Sequence, residues 1–91
     1  MIKILIVDDH TIVREGIKRI IEDTPDIKIV AEASEGKKAI ELILKNKFDL
    51  VLLDISMPGQ NGLQTLKLIK KYDQTIPVLM LSMHSEKQYA I

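Results

Sequence analysis

The 91-residue chain contains no cysteine, so disulfides, thiolate zinc sites and cysteine nucleophiles are excluded. It has no tryptophan, and aromatic residues make up only 3 %, which leaves little surface for stacking nucleobases. Neither sign of charge is in excess: 13 Lys+Arg face 13 Asp+Glu, so no basic surplus points to nucleic acid or an anionic membrane. The longest apolar runs are of strand length, and the first keeps Lys3 within it, so neither a signal peptide nor a membrane span fits. A cytoplasmic location is expected. Phosphate-cradling glycine loops of the G-x-x-x-x-G-K-[ST] or G-x-G-x-x-G kind are missing, as is a nucleophile elbow.

What remains is a sequence with 46 % hydrophobic and 29 % charged residues, ordinary for one small globular domain spanning 1–91. Two periodicities alternate along it. Strand-like apolar runs occur at Ile2–Val7, Ile27–Ala33, Leu50–Leu53 and Val78–Leu81, and the first reads as a strand buried on both faces. Between them, Ile12, Val13, Ile17, Ile20 and Ile21 share one helical stripe. Ala39, Ile40, Ile43 and Leu44 form a second stripe after Ser34, the expected N-cap. Leu63, Leu66 and Ile69 form a third. Pro25 and Pro77 punctuate helix-to-strand connections, and Pro58, Gly59 and Gly62 mark an irregular loop. Strands alternating with helices predict an α/β fold, a flavodoxin-like doubly wound parallel sheet with strand order 2-1-3-4 and right-handed crossovers.

In such a sheet ligands bind at the carboxyl ends of the strands. The first strand ends in Asp8-Asp9, the third in Asp54 and the fourth in Ser82. The predicted order makes these strands neighbours, so three carboxylates and a hydroxyl share one rim. Carboxylates gathered in a partly buried place need a cation, and an all-oxygen set suits Mg²⁺. Two acids can hold the metal while the third serves as a nucleophile toward phosphorus. Blander readings exist for each residue alone. An aspartate after a strand is often a helix cap, and serine commonly ends strands. His10 and His84 offer imidazoles to a transition metal, but with no third histidine or cysteine to support them they are expected to be solvated or loop residues. Lys37-Lys38 and Lys70-Lys71 read as exposed helix faces, and Met80 with Met83 as packing.

The segments "ILIVDDH", "DLVLLDISMPGQNGLQTL" and "IPVLMLSMHSEKQYAI" together resemble the receiver domain of bacterial two-component response regulators. The wording "VDDHTIVREGI" is similar to the LuxR/NarL-type subfamily, whose receivers precede a helix-turn-helix output domain. The resemblance implies that Asp54 accepts a phosphoryl group from a sensor histidine kinase. It implies that Asp8, Asp9 and Asp54, with the backbone carbonyl of Ser56, hold Mg²⁺. Ser82 would be the switch hydroxyl, Gly62 would allow the turn into the third helix, and Met57-Pro58 would shape the loop beside the phosphosite. Receivers continue through a fifth strand bearing a lysine, whereas the sequence given ends at Ile91, and Lys87 falls too early to match that lysine.

An incomplete C-terminal end is therefore expected, with the fifth strand and helix absent and the fourth strand an apolar edge open to pairing. Either the chain belongs to a longer protein, or a second copy covers that edge by pairing or exchange, giving a homodimer. DNA would be reached only through an output domain. Two other functions compete with the phosphorylation switch. A Mg²⁺-dependent phosphatase would want an acid or base two residues after the nucleophile, where Ser56 stands, so the chain is not expected to be an enzyme beyond phosphorylating and dephosphorylating itself. A phosphorylation-independent docking or dimerisation fragment is disfavoured by the intact Asp8, Asp9, Asp54 and Ser82 and left open by the lack of the fifth-strand lysine in the sequence given.

Overall fold

The computed structural model describes residues 1–54 and 62–81. In chain order the elements are β1 (Ile2–Val7), α1 (Thr11–Glu22), β2 (Ile27–Ala33), α2 (Gly36–Lys45), β3 (Leu50–Asp54), α3 (Gly62–Tyr72) and β4 (Val78–Leu81). The strands form one parallel sheet in the expected order β2-β1-β3-β4. Among the described residues no helix is long and apolar enough to cross a membrane.

The continuous apolar runs are sorted by the two-residue period of a strand. Leu5 and Val7 of β1 join Val51 and Leu53 of β3 in a core that Ala39, Ile43 and Ile69 of α2 and α3 close. Ile4, Ile6 and Leu52 point the other way and are packed by Ile17 and Ile21 of α1. Each fully buried Val, Leu or Ile among them contributes about 1.5–3 kcal/mol of transfer free energy. That is why the central strands carry no polar residue between Ile4 and Val7.

A bulge in β2 sets which side chains reach α1. Ile4 pairs with Ile29 but Leu5 with Ala31, so Val30 is the extra residue. Ile27 and Ile29 therefore pack on the α1 side, while Ala31 and Ala33 join the opposite core. Past the bulge, Glu32 lies beside Ile6, on the α1 side of the sheet, where Arg14 and Lys18 of the helix bond it.

Two local expectations are corrected. The apolar stripe of α1 is narrower than its five residues: Ile12 is 86 % and Ile20 75 % exposed, leaving Val13, Ile17 and Ile21 toward the sheet. The N-cap of α2 is Glu35 rather than Ser34, in an extended conformation and without a side-chain cap bond. At the outer side of the described sheet, β4 leaves Leu79 52 % exposed and Val78, Met80 and Leu81 half-buried.

Truncating a side chain of the central sheet and one of the outer face of α1 should have unequal effects. Leu53→Ala is expected to destabilise by about 2–5 kcal/mol, and Ile12→Ala to stay within about 0.5 kcal/mol. Urea unfolding of both variants measures this, and equal losses would refute the layer assignment.

Candidate metal centre

Val7 and Leu53 are register partners in the adjacent strands β1 and β3, so the residues that follow them, Asp8 and Asp54, end side by side. Both are 1 % exposed. The backbone N–H of Asp8 donates to the Ala33 carbonyl at 2.9 Å, extending the pairing with β2 one residue past the strand. Asp9 is the outermost of the three, with its side chain 26 % exposed.

His10 then turns the chain into α1. Its extended backbone (φ −97°, ψ 109°) occupies the N-cap position, and its carbonyl accepts the first intrahelical bond from Arg14 N–H at 3.0 Å. Its own N–H donates to Asp8 Oδ1 at 2.8 Å, so an aspartate side chain folds the connection back on itself. The helix begins with no acidic residue in its first turn, and its positive end faces the carboxylates just before it.

The imidazole bends over the rim. Nδ1 lies 2.8 Å from Asp8 Oδ1, 3.0 Å from Asp9 Oδ1 and 3.4 Å from Asp54 Oδ2. One ligand atom from each of Asp8, Asp9, His10 and Asp54 falls within 4.8 Å of all the others. His10 is exposed in the connection before α1, as expected of a solvated or loop residue, and its ring also reaches the rim. The contiguous "DDH" is the only trace in the sequence, and it becomes informative once the N-cap geometry aims the ring backward.

Burial pushes the Asp8 carboxyl above its ordinary value of 3.8, and the nearby charge of Asp54 adds to this against the two hydrogen bonds from His10. His10 is raised above 6.5, first by its bond to Asp8 and then by the charges of Asp9, Asp8 and Asp54. Asp8 Oδ2 is buried without a hydrogen-bond partner. A buried carboxylate oxygen with no donor, beside further carboxylates, is an arrangement a divalent cation satisfies and a neutral pocket does not. Asp8, Asp9, His10 and Asp54 thus fit a metal.

A second layer fixes Asp8 from behind. Arg14 Nη1 donates to the Asp8 carbonyl at 2.6 Å, while Nε donates to Glu32 Oε1 at 3.1 Å and Lys18 Nζ to Glu32 Oε2 at 2.8 Å. Lys18 and then Arg14 hold the Glu32 carboxyl below its ordinary 4.5. The Arg14 charge is thereby directed to the backbone and to Glu32, and the rim carboxylates keep their negative potential.

Of the other residues expected at the site, Gly62 is the first residue of α3. Ser56, Met57, Pro58, Ser82, His84 and Lys87 lie outside the described residues.

An acidic rim at the carboxyl ends of a doubly wound parallel sheet defines a class of α/β proteins, and comparison with known proteins narrows it. The sequence profile of the response regulator receiver domain matches residues 4–91, and the chain belongs to that family. It is 45 % identical over 86 residues to the response regulator UvrY of Escherichia coli K12, covering 94 % of this chain and 39 % of UvrY. The chain thus spans well under half the length of that relative. The crystal structure of a LuxR-family two-component response regulator from Aurantimonas sp. SI85-9A1 superposes with a TM-score of 0.85 at 36 % identity, over 97 % of this chain and 63 % of that one. RcsB from Salmonella enterica serovar Typhimurium, bound to promoter rprA with the phosphomimetic BeF₃⁻, gives 0.84 at 28 % identity over 91 % and 70 %. The chain is therefore a receiver domain of the LuxR/NarL type, related to transcriptional response regulators.

The rim should leave a signature in stability. Above pH 4.5 the contribution of Glu32 is fully present, since its carboxyl is held low. Asp8, raised in the fold, ionises more readily in the unfolded chain, so its effect on stability is unfavourable as pH rises from 3.8 through its folded value. His10, also raised, contributes stability below pH 6.5 that is lost as pH climbs through its folded value. The thermal midpoint of the metal-free chain is expected to fall as pH rises from 4.5 past neutrality. Asp8→Asn should flatten the early part of that fall and stabilise the metal-free chain by about 0.5–2 kcal/mol at neutral pH. A midpoint that rises over this range would contradict the buried repulsion.

Proposed function

We propose that residues 1–91 work as one phosphoacceptor unit of a two-component response regulator, in which Asp54 receives the phosphoryl group from a sensor histidine kinase in the cytoplasm. One observation carries this reading: Asp54 and Asp8 are brought together and buried at the ends of adjacent parallel strands, with Asp9 beside them. Asp54 is positioned by β3 as a nucleophile with little freedom, and it stands where a phosphodonor must approach from the open end of the sheet. In the transfer, an oxygen of Asp54 bonds to phosphorus as the bond from phosphorus to the kinase histidine nitrogen breaks, and the freed imidazole takes a proton from solvent.

Asp8, Asp9 and Asp54, with the backbone carbonyl of Ser56, are the proposed Mg²⁺ ligands. Mg²⁺, when bound, neutralises charge that develops on the phosphoryl oxygens. Asp8 and Asp9 have no part in bond making; their work is to hold negative charge in fixed positions, which Arg14 and the His10 N–H secure through the backbone and side chain of Asp8. Ser82 is the proposed switch hydroxyl, turning toward phosphorylated Asp54 and carrying the segment after β4 with it. Pro58 and Gly62 are proposed to shape the loop between Asp54 and α3.

The output is proposed to be transcriptional. RcsB, whose receiver this chain resembles, has been captured on promoter DNA. DNA would be met here through an output domain of a longer protein; the alternative assembly is a homodimer through the β4 edge, where Leu79 is exposed.

Intact mass before and after incubation with acetyl phosphate tests the reading. The chain is expected to gain one phosphoryl group only with Mg²⁺ present, and Asp54→Ala to gain none while remaining folded. Asp9→Ala is expected to weaken Mg²⁺ by about tenfold or more and to slow phosphorylation with it. An Asp54→Ala chain phosphorylated at the wild-type rate would overturn the assignment of the acceptor.

A further inference from the structure

The phosphoacceptor reading gives the imidazole of His10 no task, yet its Nδ1 is the atom that touches all three carboxylates. The spacing is that of a ligand shell. With bonds of about 2.1 Å, neighbouring ligands of an octahedral ion are separated by about 3.0 Å, and those of a tetrahedral ion by about 3.4 Å. The distances from Nδ1 to the carboxylate oxygens, 2.8, 3.0 and 3.4 Å, span those values. The four ligand atoms also fall within a 4.8 Å group, wide enough for one ion at its centre.

A second observation points to a cation site. Asp8 is 1 % exposed, and its Oδ2 has no hydrogen-bond partner although Oδ1 of the same carboxylate accepts from His10. Asp9 Oδ1 similarly lies 3.0 Å from Nδ1 without taking a hydrogen bond. The contacts of the ring with the rim are therefore not all accounted for by donation of an N–H.

We propose that His10 is a nitrogen ligand, so that Asp8, Asp9, His10 and Asp54 form a mixed nitrogen–oxygen centre for a first-row transition dication such as Mn²⁺ or Zn²⁺, in addition to hard Mg²⁺. The proposal rests on the rim being a metal site, as under the proposed function, and goes beyond it in the class of ion. Imidazole is a poor partner for Mg²⁺, which prefers oxygen and keeps its waters, but a good one for Mn²⁺ and better for Zn²⁺. The ring can serve without disturbing the core, since its side chain is 45 % exposed and is placed by the N-cap backbone. On binding, any proton on Nδ1 leaves to solvent, the ring keeps its Nε2 proton, and the lone pair of Nδ1 faces the ion.

Calorimetric titration of the chain with MgCl₂, MnCl₂ and ZnCl₂ in turn tests this, comparing wild type with His10→Ala and His10→Gln, both checked for fold by circular dichroism. The wild type is expected to bind Zn²⁺ at least about tenfold more tightly than Mg²⁺. Both variants are expected to lose about tenfold or more in Zn²⁺ affinity, with a smaller loss for Mn²⁺, while Mg²⁺ binding stays within about twofold. His84→Ala, at the only other histidine of the sequence, is expected to leave all three affinities unchanged. If Mg²⁺ binding instead strengthens in both His10 variants and the Zn²⁺ preference persists, the imidazole is a counter-cation occupying the position of the metal, and the ligand assignment is wrong. If the wild type binds Mg²⁺ with no preference for Zn²⁺, this proposal fails and the phosphoacceptor reading stands. No Mg²⁺ binding at all would remove both.

Discussion

The pairing of β1 with β3 imposes a charge conflict on which the rest of the site depends. Register places Asp8 one step beyond Val7 and Asp54 one step beyond Leu53, so two buried carboxylates stand together at the rim of an apolar sheet. Repulsion and burial both oppose the ionised state of Asp8. A fold selected for stability alone would place an amide at one of these positions. The surrounding structure holds the pair in place instead: the His10 N–H and Nδ1 approach Asp8 Oδ1, and Arg14 grips the Asp8 carbonyl. These contacts fix the position of the carboxylates and leave Asp8 Oδ2 unsatisfied.

Support for the rim reaches back through the sheet. The bulge at Val30 changes which residues of β2 face α1, and so brings Glu32 against Arg14 and Lys18. Glu32 orients the guanidinium that holds Asp8, and Lys18 secures Glu32 in turn. An irregularity halfway along one strand is thus linked by side-chain contacts to the position of a carboxylate at the end of the next. The polar chain on the α1 side and the apolar packing on the α2–α3 side enclose the same strand ends.

Most of this fold was legible because its strands announce themselves. Runs such as "ILIV" and "LVLL" are too continuous for a sheet with one wet face, and the helical stripes between them leave parallel crossovers as the natural solution. Asp8, Asp9 and Asp54 could be placed on one rim from strand order alone, and the structure gathers them there. Less visible were features set by geometry within a connection. Nothing in "DDH" states that the third residue folds back over the first, because that depends on an N-cap conformation and an aspartate accepting from the backbone two residues on. The narrow buried stripe of α1 was similarly hidden, since Ile12 and Ile20 are apolar residues that face away from the sheet. Glu35 replaced Ser34 as the cap of α2 because β2 runs through Ala33 and the helix starts only at Gly36.

The central claim is that a divalent cation relieves the burial and repulsion that oppose the ionised state of Asp8 at the rim. Its most direct test is the unfolding free energy of the wild-type chain measured against Mg²⁺ concentration at neutral pH, with Na⁺ at matched ionic strength as the reference. A cation that binds only the folded rim should raise stability logarithmically with its concentration, by about 2.7 kcal/mol at a hundred times its dissociation constant. The same titration of Asp8→Asn should be much flatter. Equal Mg²⁺ responses in the two chains, or none in the wild type, would contradict the claim.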